Sequence, residues 1–335
     1  MSILASITCA DDGTLRTFDV QPDAIIPVAQ TLVGKGIAAL AVDETGTRGF
    51  CGTKEPKGIA AVWLDESTGA WQKVGHTDTD VAWTYLTRSG DARFLLGVSY
   101  SGGVARVWPI EDEVLGEPTC EVALANPHCV VTLDEFVYIV SLGSELVAQY
   151  RLTESGHLVE LDSPSVAAPE GSGPRHLAVA PDARNLYLVT EFSGEVIRLE
   201  RGDDGQLAVR EARSIIASDR GLTHSRFGAD PAAEHLIWGA DVWLHGNFLV
   251  ASERSESTLA VLPVGEDGTL GEQVCIVGTE QQPRGFAVSS DGLVVCPGEK
   301  SEQVSLFRLD GAGQLTFVGR APSGLGGNWV RLLER

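Results

Sequence analysis

Positive charge is scarce in this chain of 335 residues. Lys plus Arg number 25 against 46 Asp plus Glu, for a formal net charge of −21. Nucleic acid and anionic membranes need a basic face, so neither is an expected partner. An anionic small molecule is not excluded, because a local arginine cluster overrides the global sign within a Debye length of about 8–10 Å. Long apolar runs are missing too: no stretch reaches the ~18 apolar residues of a membrane helix. Met1-Ser2-Ile3-Leu4-Ala5 has neither the basic start nor the apolar run of a secretory signal. The six cysteines, Cys9, Cys51, Cys120, Cys129, Cys275 and Cys296, form no CxxC pair. Neither a zinc site nor a disulfide framework is suggested, and a reducing cytoplasm is the expected location. Amphipathic helical patterns are absent, and no glycine-rich loop leads into a helix, which removes nucleotide-cradle chemistry.

What is present is a repeat. Short apolar strands end at Phe18, Trp63, Trp108, Tyr150, Leu199, Leu262 and Phe307, a period in the mid-forties. A second set of strands falls in the same register: Ile37–Val42, Ala82–Thr87, His128–Thr132, Arg175–Ala180, Asp241–His245, Arg284–Ser289 and Trp329–Leu333. Turn signals such as Pro181-Asp182 and Ser290-Asp291-Gly292 follow most of them. Two sets of seven landmarks predict an all-β fold, a seven-bladed β-propeller of four-stranded blades. The last strand has no later partner, and the first strands near Ile3–Thr8 and Thr14–Val20 have no inner strand before them. Joining them in one composite closing blade removes two exposed sheet edges. No linker divides residues 1–335, so one domain is expected. The longest interval marks an insertion within Ala212–Leu236, between two blades.

Strand direction sorts the polar residues. In an antiparallel blade the inner strand leaves one face and the second strand returns to it. Starts of inner strands and ends of second strands therefore share one mouth of the channel. The starts read Ile37, Ala82, His128, Arg175, Asp241, Arg284 and Trp329; the ends read Ala10, Glu55, Tyr100, Ser141, Glu191, Arg254 and Glu299. Three arginines converge there, suited to forked hydrogen bonds with carboxylate or phosphate oxygens. Each residue keeps two readings. Arg175 either grips an anion or pairs with Glu191; His128 is either a base or a satisfied structural histidine. Asp241 holds either an arginine or the substrate. His176 alternates to the opposite side of its strand and is read as packing. His224 sits on the inserted loop entering the same face, and Trp63 and Trp108 are read as blade packing.

Gly173-Pro174-Arg175-His176 through Glu191-Phe192-Ser193-Gly194 resembles the hallmark of the seven-bladed propeller lactonase family. Pro127-His128, Ser141-Leu142-Gly143, Glu253-Arg254 and Gln282-Pro283-Arg284-Gly285-Phe286 resemble its other motifs, in order. The chain departs from the pattern at Ser141, where the family often has Asp, and at Thr190 and Glu253, where it often has Asn. The resemblance implies His128, Arg175, Glu191 and Arg254 as the catalytic set, with Arg284 nearby, and neither metal nor organic cofactor. Asp241, His224 and Tyr100 complete the expected substrate contacts. It implies hydrolysis of a sugar lactone, as in 6-phosphogluconolactonases of this family, or cyclisation of a muconate-type dicarboxylate, as in its carboxymuconate lactonising enzymes. In either case the partner is an anionic small molecule, and His128 would activate water with Glu191 positioning it. A non-catalytic scaffold is the alternative from another class, though no Trp-Asp repeat supports it. A metal-dependent propeller site would set three arginines against a divalent cation. On this reading Arg175→Ala mainly raises KM, and its removal empties no packed core.

Overall fold

Seven antiparallel sheets succeed one another along the chain in a computed structural model that describes residues 3–334; Met1, Ser2 and Arg335 lie outside it. Their innermost strands are Leu40–Val42, Tyr85–Arg88, Pro127–Leu133, Pro174–Val179, Gly239–His245, Ala287–Val288 and Gly327–Glu334. We number the blades 1 to 7 in that order. Each innermost strand touches the next, and that of blade 7 touches that of blade 1, so the ring is closed. Closure is composite: Gly327–Glu334 pairs with Ile3–Cys9, followed outward by Thr14–Gln21 and Ala24–Leu32.

Blade 2 departs from the expected four strands. Its outer edge is broken into Val114–Leu115 and Cys120–Ala123, both paired with Val104–Glu111. The break holds Gly116-Glu117-Pro118; a proline has no N–H to give to a ladder.

The second strands explain why alternation was faint in the sequence. Phe94–Ser99, Phe136–Ser141, Asn185–Thr190 and Phe248–Glu253 are buried at every residue. Each lies between neighbouring blades, so both of its faces meet apolar surface and period-2 patterning disappears. Buried tyrosines tie blades together: Tyr138 Oη donates to Gly205 O at 2.6 Å and Tyr187 Oη to Gly268 O at 2.9 Å. Blades also approach backbone to backbone. A Cβ on Gly239 would lie 2.1 Å from Thr190 O, so any larger residue would push blade 5 off blade 4.

Trp108 is buried and meets Trp83 edge to face at 4.7 Å. Trp63, expected to pack likewise, is 43% exposed. Val62 and Leu64 take the inward positions of its strand, so alternation turns Trp63 outward, where Arg48 lies over its ring. The insertion between blades 4 and 5 contains one helical turn, Pro231–Glu234, capped by Asp230, whose side chain accepts from Ala233 N. No helix among the described residues is long and apolar enough to cross a membrane.

Candidate active site

Three consecutive inner strands begin with a bulge. In blade 3 the register shifts between Pro127 and Cys129, in blade 4 between Pro174 and His176, and in blade 5 between Gly239 and Val242. The residues left without a ladder partner are His128, Arg175 and the pair Ala240 and Asp241. A bulge bends the strand and re-aims side chains away from strict alternation. That corrects the reading of His176. It is buried, but it does not lie opposite Arg175: its Nε2 is 3.4 Å from Arg175 Nη1, and its Nδ1 lies 2.8 Å from Asp241 Oδ1.

Rings fill the middle of the channel. His128 and His176 meet edge to face with centroids 5.0 Å apart, and Tyr85 and Trp329 meet His176 at 5.3 and 5.8 Å. A cavity lies on each side of this plug. The larger, about 650 Å³, is lined by His128, Tyr100, Glu191, Arg254, Arg284 and Glu299, with Lys35, Lys54, Trp238 and Asn328 among others. The smaller, about 410 Å³, is walled by Tyr85, Trp243, Phe286, Trp329, Arg331 and Asp241.

Glu191 is the hub of the larger cavity. Its Oε2 accepts from Arg175 Nε at 2.9 Å and faces Arg254 Nη2 at 2.9 Å, while Trp238 Nε1 donates to Oε1 at 3.3 Å. The Arg254 guanidinium lies 3.8 Å from the centre of the Trp238 ring. Glu253 holds this corner together, accepting from the backbone N–H groups of Trp238, Ser255 and Glu256 at 2.8–2.9 Å. An asparagine has one carbonyl oxygen; the carboxylate's two serve all three donors.

Burial alone would raise the Glu191 carboxyl, and the guanidiniums of Arg254, Arg175 and Arg284 outweigh it, so its pKa is lowered and it stays ionised. Burial, and then the neighbouring arginines, bring Arg254 down to about 9 against the pull of Glu191, which leaves it cationic at neutral pH. His128 is pushed well below the usual imidazole range by burial, then by Arg175, His176, Arg284 and Arg254. Its Nδ1 is buried with no partner, so Nε2 is the nitrogen left to the cavity.

His128, Tyr100, Glu191, Arg254 and Arg284 thus meet around one cavity. Arg175 does not line it. It is 0% exposed, lies behind Glu191, and its Nη1 also donates to Ala240 O in the next blade. Asp241 faces the other cavity and neither holds an arginine nor borders His128; it accepts from Val242 N and pairs with His176. The bulge carried it past the plug. His224 is exposed on the inserted loop beside Gly171, with Nδ1 2.8 Å from Ser225 O, and does not reach the cavity lining. Ser141 is buried and donates to Ala125 O.

A register slip of one residue hid other members. Lys54, not Glu55, reaches the cavity, which reverses the sign of charge there, and Asn328 replaces Trp329. Asn328 accepts from Thr8 at 2.6 Å across the closing blade. Lys35 lies between repeats, where no periodic landmark marks it; its rarity was the available signal, since the chain has few lysines.

The sequence matches the family model described as "Lactonase, 7-bladed beta-propeller" over residues 2–332. The chain belongs to this lactonase family. Among curated relatives, a 6-phosphogluconolactonase of Serratia proteamaculans is 26% identical over 345 residues, spanning 100% of both chains. A 6-phosphogluconolactonase of Pectobacterium atrosepticum is 28% identical over 292 residues, spanning 85% of this chain and 84% of its own. Among solved structures, the periplasmic gluconolactonase of Pseudomonas aeruginosa superposes with a TM-score of 0.88 at 21% identity, over 99% of each chain. That likeness shows the lactonase propeller fold. Among the described residues, no group of three or more His, Cys, Asp or Glu is placed to hold a metal ion.

The central plug gives this lactonase a testable acid response. Burial, then Arg175, lowers His176 to about 4 despite Asp241. An unfolded histidine takes a proton near pH 6.5, so between pH 6.5 and 4 the unfolded state binds more protons. Stability contributed by neutral His176 is full above pH 6.5 and lost on the way down to 4, on the order of 3 kcal/mol. Thermal melts should show Tm falling across that window, and His176→Asn should flatten it. An equal slope in both proteins would contradict the assignment.

Proposed function

We propose that this chain hydrolyses a sugar lactone in the larger cavity, and that the substrate is a phosphorylated one of the 6-phosphogluconolactone type. The observation that carries the reading is the lining itself: the ionised Glu191 carboxylate, the His128 imidazole kept neutral, and the guanidiniums of Arg254 and Arg284 around one cavity. The names of the curated relatives support the substrate class and favour hydrolysis over cyclisation.

The chemistry follows from these groups. Water attacks the lactone carbonyl carbon while His128 Nε2 takes its proton. Charge develops on the carbonyl oxygen, where Arg254 and Arg284 supply fixed positive charge. When the intermediate collapses, the ring C–O bond breaks and the departing alkoxide takes the proton from His128. The product is an open hydroxy acid, which ionises at neutral pH. Glu191 anchors Arg254 and lies where it can orient the water. Arg175 acts through Glu191 and is a positioning residue.

No step needs a metal, and guanidiniums beside the carboxylates disfavour a divalent cation. Turnover of 6-phosphoglucono-δ-lactone should survive EDTA unchanged; loss restored by a divalent ion would overturn this. The lowered pKa of His128 also sets the pH profile. The neutral base persists below pH 6.5, so kcat/KM, corrected for spontaneous hydrolysis, should stay flat from pH 7.5 through 6 and fall only in more acidic solution. An inflection near 6.5 would mean an unperturbed imidazole. Six cysteines without a disulfide support a reducing compartment such as the cytoplasm.

A further inference from the structure

Charges around the larger cavity divide into paired and unpaired ones. Arg254 faces Glu191 at 2.9 Å and Arg284 faces Glu299 at 3.3 Å. Lys35 and Lys54 are the remaining cations of the lining. Among the described residues neither ammonium has a hydrogen bond or ion pair, and Asp11, which also lines the cavity, pairs with neither. The chain has only five lysines, Lys35, Lys54, Lys57, Lys73 and Lys300. Lys57 and Lys73 spend their charge on the carbonyls of Asp80 and Val33.

Exposure alone would make unpaired lysines unremarked. Their placement is what needs a reason. Lys54 N donates to Lys35 O at 3.0 Å, and Lys35 N to Glu55 O at 3.1 Å, which clamps the two backbones side by side. Gly36, at φ 64°, admits the Lys54 stem: a Cβ there would lie 2.6 Å from Lys54 Cγ. Two lysines are thus clamped side by side by their backbones at the cavity of a chain of net charge −21, and among the described residues neither side chain has a counter-ion. Like charges so placed repel, and a bound anion relieves them.

We propose that Lys35 and Lys54 form the subsite for the phosphoryl group of the substrate. This rests on reading the cavity as a lactonase site. A phosphate monoester carries nearly two negative charges at neutral pH, and lysines serve phosphate as compact point charges. The arginines, already bound to carboxylates, are left to the carbonyl end. An exposed lysine pair is also screened by salt, so its contribution falls as ionic strength rises.

The test is the ratio of kcat/KM for 6-phosphoglucono-δ-lactone to that for glucono-δ-lactone, in wild type and in Lys35→Gln/Lys54→Gln. Calorimetric binding of 6-phosphogluconate and gluconate to the same two proteins accompanies it. The ratio should fall about 10–100-fold, chiefly through KM of the phosphorylated substrate. Lys35→Arg/Lys54→Arg should recover part of it, and added salt should shrink the difference. A ratio within twofold of wild type, or equal losses on both lactones, overturns the subsite. Failure of the lactonase reading looks different: wild type would turn over neither lactone. In that case, binding of 6-phosphogluconate that the glutamine variant loses still supports the subsite, and binding that is unchanged or absent overturns it.

Discussion

Arg175→Ala will destabilise the protein by about 3–5 kcal/mol and lower kcat more than it raises KM. The side chain is fully enclosed, with Nε on Glu191 at 2.9 Å and Nη1 on the Ala240 carbonyl of the next blade. Removing it leaves a buried carboxylate with one guanidinium fewer and a buried carbonyl without its donor. Each is an uncompensated polar group, which costs more than the intact pair contributes. The kinetic effect follows from position. Arg175 lies behind Glu191 and never borders the cavity, so it cannot grip substrate directly. Loss of it frees Glu191, and through Glu191 it frees Arg254, which is 2.9 Å away. Misplacement of those groups acts on the chemical step. Arg175→Lys should retain part of the stability and less of the rate, because an ammonium cannot serve both acceptors with a fixed fork. Thermal melts with steady-state kinetics decide it. A raised KM with an unchanged melt would restore the direct anion grip expected from the sequence.

His128→Leu should do the reverse: keep the fold and lose the reaction. A general base contributes typically ~10²–10⁴-fold, so kcat should fall by about that range. Stability should hold, because Nδ1 of His128 is buried without a partner and no hydrogen bond within the protein is lost. Replacing an unsatisfied polar ring by an apolar side chain of similar size removes a desolvation cost and gives up edge contacts to Tyr100 and His176. These effects oppose each other. A large drop in Tm with near-normal kcat would make His128 structural. A fall in kcat at constant Tm separates it from Arg175, which should lose both.

The fold was legible because its signals were redundant. Strand ends and inner strands repeat in the same register, and the unpaired first and last strands had one economical solution. The site was less legible, for physical reasons. Period-2 alternation places Arg175 and His176 on opposite faces, but the blade 4 bulge sets both toward the channel. The same device in blade 5 carried Asp241 beyond the plug. Nothing in Gly173-Pro174-Arg175-His176 announces an extra residue in the ladder. A slip of one position exchanged Glu55 for Lys54, and such a slip is invisible where neighbours are both charged. Glu191, Arg254 and Arg284 were found because they follow or precede strands that the repeat had already fixed.

The rate of 6-phosphoglucono-δ-lactone hydrolysis by wild-type protein, in EDTA and above the spontaneous rate, tests the central claim most directly. Saturable turnover is expected, slowed about 10²–10⁴-fold by His128→Leu while the fold persists. Hydrolysis no faster than in buffer, by a protein whose melt shows it folded, would contradict it.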